Sequence, residues 1–208
     1  MCPFILPTTD CDASISTNFL VLTTACFYNN FVQDVIAYSK KLTQIKQSVL
    51  LFDGSLGLGD LYFMSKTHNK EVDAVLAGQK AISILIKKYE CIDLISGESK
   101  KMNLGACSDA QLQNILLDLK LLGKNYQNVL VYVPPTLPCV QKFFCSYLKS
   151  LCFTQSVENS IASTKKLMAI FPNMTCYLNA KEGDWDIARA LLLSGMVEKD
   201  KILYNFTD

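Results

Sequence analysis

Val49-Leu50-Leu51-Phe52-Asp53-Gly54-Ser55-Leu56-Gly57-Leu58-Gly59-Asp60 is the stretch whose reading decides the fold. Val49–Phe52 is a short unbroken apolar run, the pattern of a strand covered on both faces in a parallel sheet. The run stops at Asp53, and a glycine-rich turn follows. In open α/β sheets ligands bind outside the carboxyl ends of the strands, and Asp53 stands at such an end. Two readings of Asp53 remain open at this point. It is a turn residue capping the following loop, or it contacts a cation or nucleotide.

Composition narrows the possibilities. A chain of 208 residues suits one domain with a substantial core. Half the residues are hydrophobic and the mean hydropathy is +0.21, yet no window approaches the ~20 unbroken apolar residues of a spanning helix. The opening MCPFILPTTD lacks the charged start and long apolar centre of a signal peptide, so the expectation is a cytoplasmic protein. The net charge is +1, and Arg189 is the sole arginine among twenty basic residues. Arginine is the usual reader of phosphates and base edges, so nucleic acid is not expected as a partner. The nine cysteines are scattered with no C-x-x-C, unlike a zinc cluster or disulfide framework. Most are expected to be small buried hydrophobes, with no metal site. His68, the lone histidine, lies in a polar stretch that reads as a surface loop and leaves no hydrolytic triad.

Outward from 49–60 the elements fall in alternation. Met1–Asn18 reads as an irregular or edge segment, and Phe19–Thr24 as a first strand. Tyr28-Asn29-Asn30 reads as a turn and Phe31–Leu42 as a helix, closing a β–α–β unit with Val49–Phe52. Asn69–Ala81 is amphipathic, Ile82–Tyr89 is apolar with two lysines near its end, and Cys91–Ile95 is a strand. Ser108–Leu122 is the clearest helix, opened by a Ser108/Gln111 capping box and ended by Gly123. Val129–Val133 is a buried strand broken by Pro134-Pro135. Gln141–Leu151 is an aromatic-rich helix, Leu151–Thr154 a strand, Ser160–Phe171 a helix, Met174–Leu178 a strand and Asp184–Val197 a terminal helix. Strands alternating with helices predict a single three-layer α/β domain over residues 1–208, with a mostly parallel sheet covered on both faces.

With these elements placed, the chain resembles the MinD/ParA family of deviant P-loop ATPases, most closely the branch of MinD and the flagellar-number regulator FlhG, then TadZ. VLLFDGSLGLGDLYFM (49–64) is similar to the family's strand-and-switch stretch. VDAVLAGQKAI (72–82), CIDLISGES (91–99) and NYQNVLVYVPPT (125–136) resemble three further family segments in the same order. The resemblance covers roughly residues 19–180 and implies the P-loop NTPase fold.

The departures from that family bear on function. Its phosphate loop, KGGVGKT, should lie between the first strand and first helix. Here Thr24-Ala25-Cys26-Phe27-Tyr28-Asn29-Asn30-Phe31 occupies that place, without glycine or lysine. Phosphate cradles need glycine N–H groups and a lysine charge. The second aspartate of the family's D-x-D is Ser55, and the aspartate opening its DTPPG motif is Tyr132. Phosphoryl transfer rests on positioning and charge stabilisation, and these losses remove much of both. The reading is therefore a pseudo-ATPase without cofactor, a regulatory or scaffold protein. Asp53, Ser55, Asp60, Tyr132, Tyr28 and Asn29 would form a vestigial nucleotide pocket. The rim (Asp53, Ser55, Asp60) and segment 61–82 would offer a partner surface, and aromatics 27, 28 and 31 would fill the phosphate site. The resemblance implies a protein partner from flagellar, pilus or division machinery, and a monomer or constitutive homodimer. Residues 198–208 have too weak an apolar face for a membrane anchor. The alternative is an aberrant ATPase switch using Mg²⁺ and ATP, with the small-residue loops 57–59 and 96–99 as its anion cradle.

Overall fold

The computed structural model describes residues 17–26, 30–65, 69–155, 158–181 and 202–207. Along these, β1 (Asn18–Thr24), α1 (Phe31–Gln44), β2 (Val49–Asp53), α2 (Tyr62–Ser65) and α3 (Asn69–Leu76) come first. A 3₁₀ turn (Ile82–Leu85) leads into β3 (Ile86–Tyr89) and β4 (Ile92–Ile95). A second 3₁₀ turn (Leu104–Ala106) precedes α4 (Asp109–Gly123) and β5 (Asn128–Val133). Then follow α5 (Pro138–Tyr147), β6 (Lys149–Gln155), α6 (Glu158–Ile170), β7 (Met174–Lys181) and β8 (Ile202–Thr207).

One eight-stranded sheet runs through the molecule in the order β3-β4-β2-β5-β1-β6-β7-β8. All its pairings are parallel except β3 with β4. This is the expected mostly parallel α/β fold. Every residue of β2 and β5 is buried, because helices cover both faces and the pleat sends alternate side chains into each. Leu50, Phe52, Val129, Val131 and Val133 meet Leu112, Ile115, Leu116 and Leu119 of α4 and Val140 and Phe144 of α5. Val49, Leu51, Leu130 and Tyr132 meet Phe31, Val35, Tyr38 and Leu42 of α1 on the other face.

Local signals set several boundaries. Ser108 Oγ accepts from Gln111 N, and Gln111 Oε1 accepts from Ser108 N at 2.9 Å, which is the expected capping box. The helix expected over 141–151 instead begins at Pro138, since proline's fixed φ and missing N–H suit a helix's first turn. It stops at Tyr147, so β6 starts two residues before the expected strand. The 69–81 helix ends at Leu76. The apolar stretch 82–89 divides into a 3₁₀ turn and an edge strand whose Lys87 and Lys88 are exposed, as edges tend to be.

Two elements lay outside the sequence reading. The short α2 was not foreseen, and residues within 198–208 form β8, in register with β7 from Cys176↔Ile202 to Lys181↔Thr207. The helix expected over 184–197 lies outside the described residues. So does most of the segment 1–18, whose last residue opens β1. Among the described residues no helix is long and apolar enough to cross a membrane. The seven described cysteines are all free thiols, but only Cys145, Cys152 and Cys176 are buried. The expectation of mostly buried cysteines therefore fails for Cys91 and Cys139, which sit at loop and helix ends and are exposed.

Candidate functional site

The carboxyl ends of β1, β2, β4 and β5 converge around Asp53, the last residue of β2. Asp53 is fully buried. Its Oδ1 accepts from Ser55 N at 2.9 Å and Ser55 Oγ at 2.5 Å. Its Oδ2 accepts from Ser96 Oγ at 2.8 Å and Leu61 N at 3.2 Å. Ser55 Oγ in turn accepts from Asp60 N at 3.1 Å. The loop 54–61 is thus wrapped around one carboxylate, which holds it at both ends. Burial pushes the Asp53 carboxyl up to about 6, against the lowering effect of the Ser55 and Ser96 bonds and with a smaller push from Asp60. Four donors would by themselves favour the charged form, so here desolvation outweighs them.

Two glycines make this wrapping possible. Gly54 N donates to Tyr132 O at 2.7 Å, and a Cβ at Gly54 would stand 2.3 Å from that oxygen. Gly57 has φ +93°, and its Cβ would fall 2.4 Å from Met102 O and 2.6 Å from Asn103 Cα. Around it Gly57 N donates to Gly97 O, Ser99 N to Gly57 O, and Leu104 N to Leu56 O. The loop is therefore bonded along its length to segment 96–104.

Tyr132 pairs with Asp53 across β5 and β2. It is buried, and its phenol donates to Asp60 Oδ2 at 3.0 Å. Burial, reinforced by the Asp60 and Asp53 charges, pushes that phenol well above its ordinary range. Phe31, the first residue of α1, packs on the Tyr132 ring at 5.2 Å and on Phe153 at 5.7 Å. At the end of β1, Thr23 Oγ1 donates to Val133 O at 2.8 Å. Gln141 Nε2, reaching down from α5, donates to Thr23 Oγ1 at 2.7 Å and Thr24 O at 3.1 Å.

Four residues singled out in the sequence, Asp53, Ser55, Asp60 and Tyr132, thus stand in one hydrogen-bonded network. Tyr28 and Asn29, with Phe27, lie outside the described residues. Asp53 and Ser55 are fully buried, so of the expected contact rim only Asp60, partly exposed, reaches the surface. That is a correction, because a carboxylate surrounded by its own loop's donors cannot face a partner. Ser96 belongs to the site as a donor to Asp53, not as part of the anion cradle that the alternative reading gave the 96–99 loop. Gln141 was not assigned to the site and gave no sequence signal, since only the packing of α5 brings it over β1. The loop 96–99 is also committed internally. Ser99 Oγ donates to Asp73 Oδ1 and accepts from Lys101 N and Met102 N.

No family model and no curated protein matches the chain in sequence. Solved structures match it in fold. The MinD cell division protein of Aquifex aeolicus superposes with a TM-score of 0.65 at 15% identity, over 88% of this chain and 77% of that one. A plasmid partition protein from Borrelia burgdorferi superposes at 0.68 and 12% identity, over 90% and 88%. Cobyrinic acid a,c-diamide synthase from Mycobacterium smegmatis, solved with a bound ATP analog and magnesium, superposes at 0.66 and 15% identity, over 88% and 84%. The chain has the MinD/ParA-type P-loop ATPase fold.

Proposed function

We propose that this protein is a pseudo-ATPase on a MinD/ParA-type scaffold, acting as a regulator or scaffold through protein–protein contact. One observation carries the reading. The carboxylate at the end of β2 is buried with both oxygens engaged by Ser55, Leu61 and Ser96. In a nucleotide-dependent switch, such a group would have to stay available to a metal's ligand shell. Here the loop is held in place by the chain's own donors. The residues also fit a magnesium nucleotide poorly. Segment 24–31 offers no glycine and no lysine, and Phe31 at the head of α1 is packed against Tyr132. No chemical step through ATP is derived for these residues.

A protein partner is the natural user of a fixed surface. The Aquifex aeolicus MinD fold has been solved as a complex with MinC, and a partner from division, flagellar or pilus machinery is proposed by that analogy. Without a nucleotide to drive assembly, the protein would be a monomer or a constitutive dimer.

Calorimetry with ATP, ADP and GTP, each with and without Mg²⁺, tests the reading. The expected result is no binding heat and no rise in melting temperature at millimolar nucleotide. A ligand well above its dissociation constant must stabilise the state that binds it. Micromolar binding, or Mg-dependent turnover lost in Asp53→Ala, would overturn the pseudo-ATPase reading and leave the ATPase switch in its place.

A further inference from the structure

We infer that Cys107 and Cys139 form a redox site, closed into an intrachain disulfide by hydrogen peroxide, that clamps the wall behind the 54–61 loop to α5. Both thiols hang on one small turn. Cys139, the second residue of α5, is exposed, and its Sγ donates to Gly105 O at 3.4 Å. Cys107 directly follows the 3₁₀ turn Leu104–Ala106, is half-buried, and donates through Sγ to Asn103 O at 3.8 Å. The start of α5 rests on the turn itself, since Leu137 Cδ2 lies 2.8 Å from where a Cβ on Gly105 would stand. S–H bonds to carbonyls are weak, so either sulfur can leave its carbonyl for the other. Burial, and then the neighbouring Cys139, push the Cys107 thiol up. That suits a resolving thiol rather than the first to react.

The chemistry balances. The Cys139 thiolate attacks one peroxide oxygen, the O–O bond breaks, and hydroxide leaves to give a sulfenic acid. The Cys107 sulfur then attacks the Cys139 sulfur, the S–O bond breaks, and water departs as the S–S bond forms. Two thiols lose two electrons and two protons, and one peroxide becomes two waters.

The turn between the two sulfurs is not incidental to the site. Asn103 and Met102 form the wall against Gly57, and Leu104 N donates to Leu56 O at 2.9 Å. On the other side, α5 carries Gln141, which holds Thr23 and Thr24. A bond from Cys107 to Cys139 would tie the backing of the 54–61 loop to the helix that holds the end of β1. Cys91, the other exposed thiol among the described residues, bonds Thr43 Oγ1 at the opposite end of the sheet. It serves as the control.

The test is brief peroxide treatment of the full chain, alkylation, digestion and mass spectrometry on wild type, Cys91→Ser, Cys107→Ser and Cys139→Ser. A Cys107–Cys139 cross-linked peptide is expected in the first two proteins and in neither of the others. Dimedone should label Cys139 in Cys107→Ser. Closing a loop of roughly 30 residues should raise the melting temperature by about 5 °C or more, reversed by reductant. Absence of the cross-linked peptide from oxidised wild type, whose folding is not in question, would overturn the site. A bond that forms but leaves the melting temperature unchanged or lower would overturn the clamp.

Discussion

Asp53→Asn separates the two opposing influences on the buried carboxylate at the centre of the site. Four hydrogen bonds favour its charged form, and complete burial disfavours it. With burial ahead, the folded-state value stands at about 6 against an ordinary 3.8. A folded-state value raised above the unfolded one gives stability that is fully present below about pH 4. That stability is lost as pH rises through about 6. Between pH 7 and pH 5 this single group should therefore add about 1.3 kcal/mol to folding stability by linkage. A whole-protein profile sums every contribution, so the wild-type curve alone does not isolate this one.

The difference between wild type and Asp53→Asn does isolate it. Asparagine keeps the shape and the acceptor toward Ser55 but cannot titrate. Urea unfolding of both proteins at pH 5, 6 and 7 should show wild type gaining about 1 kcal/mol on the variant as the pH falls. Parallel profiles would mean that the four donors hold the carboxyl at or below its ordinary value, because a depressed carboxyl loses stability only below about pH 4. That result would refute the claim that desolvation governs this site.

Gly57→Ala places a Cβ at a φ of +93° and 2.4 Å from Met102 O. With backbone on the far side there is little room to yield, and the expected cost is about 2–4 kcal/mol, read as a fall in the urea midpoint. Tyr132→Phe keeps the ring against Phe31 and removes only the bond to Asp60. It should cost about 1 kcal/mol, a fall in melting temperature of about 2–4 °C for a chain of this size. A much larger loss would show that the Asp60 contact, rather than ring packing, holds β5 to the loop.

Much of the architecture could be read in the sequence because its strands are covered on both faces. Val49–Phe52 and Val129–Val133 are uninterrupted apolar runs, and both lie at the centre of the sheet. The capping box at Ser108 and the stripe behind it located α4. The edges were harder to read. β3 carries two exposed lysines, and the β8 sequence read at helical spacing has only a weak apolar face. As a strand it needs only alternation and one neighbour. Helix boundaries moved where a proline began a turn rather than ending one, as at Pro138.

The site divides along a similar line. Asp53 and Ser55 could be found because a strand end followed by a turn has a local signature. Ser96 and Gln141 sit 43 and 88 positions beyond Asp53 in the chain, and only the sheet order brings them near. The missing glycines and lysine imply a vestigial pocket filled by aromatics 27, 28 and 31, with Asp53, Ser55 and Asp60 on its rim; of these aromatics Phe31, the one among the described residues, packs on Tyr132. The structure shows another consequence of Ser55 and Ser96 standing beside an unpaired aspartate. Hydroxyls are neutral donors, and a buried carboxylate that accepts four donors requires no cation to satisfy its oxygens. A serine at position 55 in place of a second carboxylate carries no negative charge and supplies a donor. The donors that hold the loop are the same ones that satisfy the carboxylate without a cation, and under the proposed function a fixed loop and the absence of an ATPase cycle would follow from one arrangement.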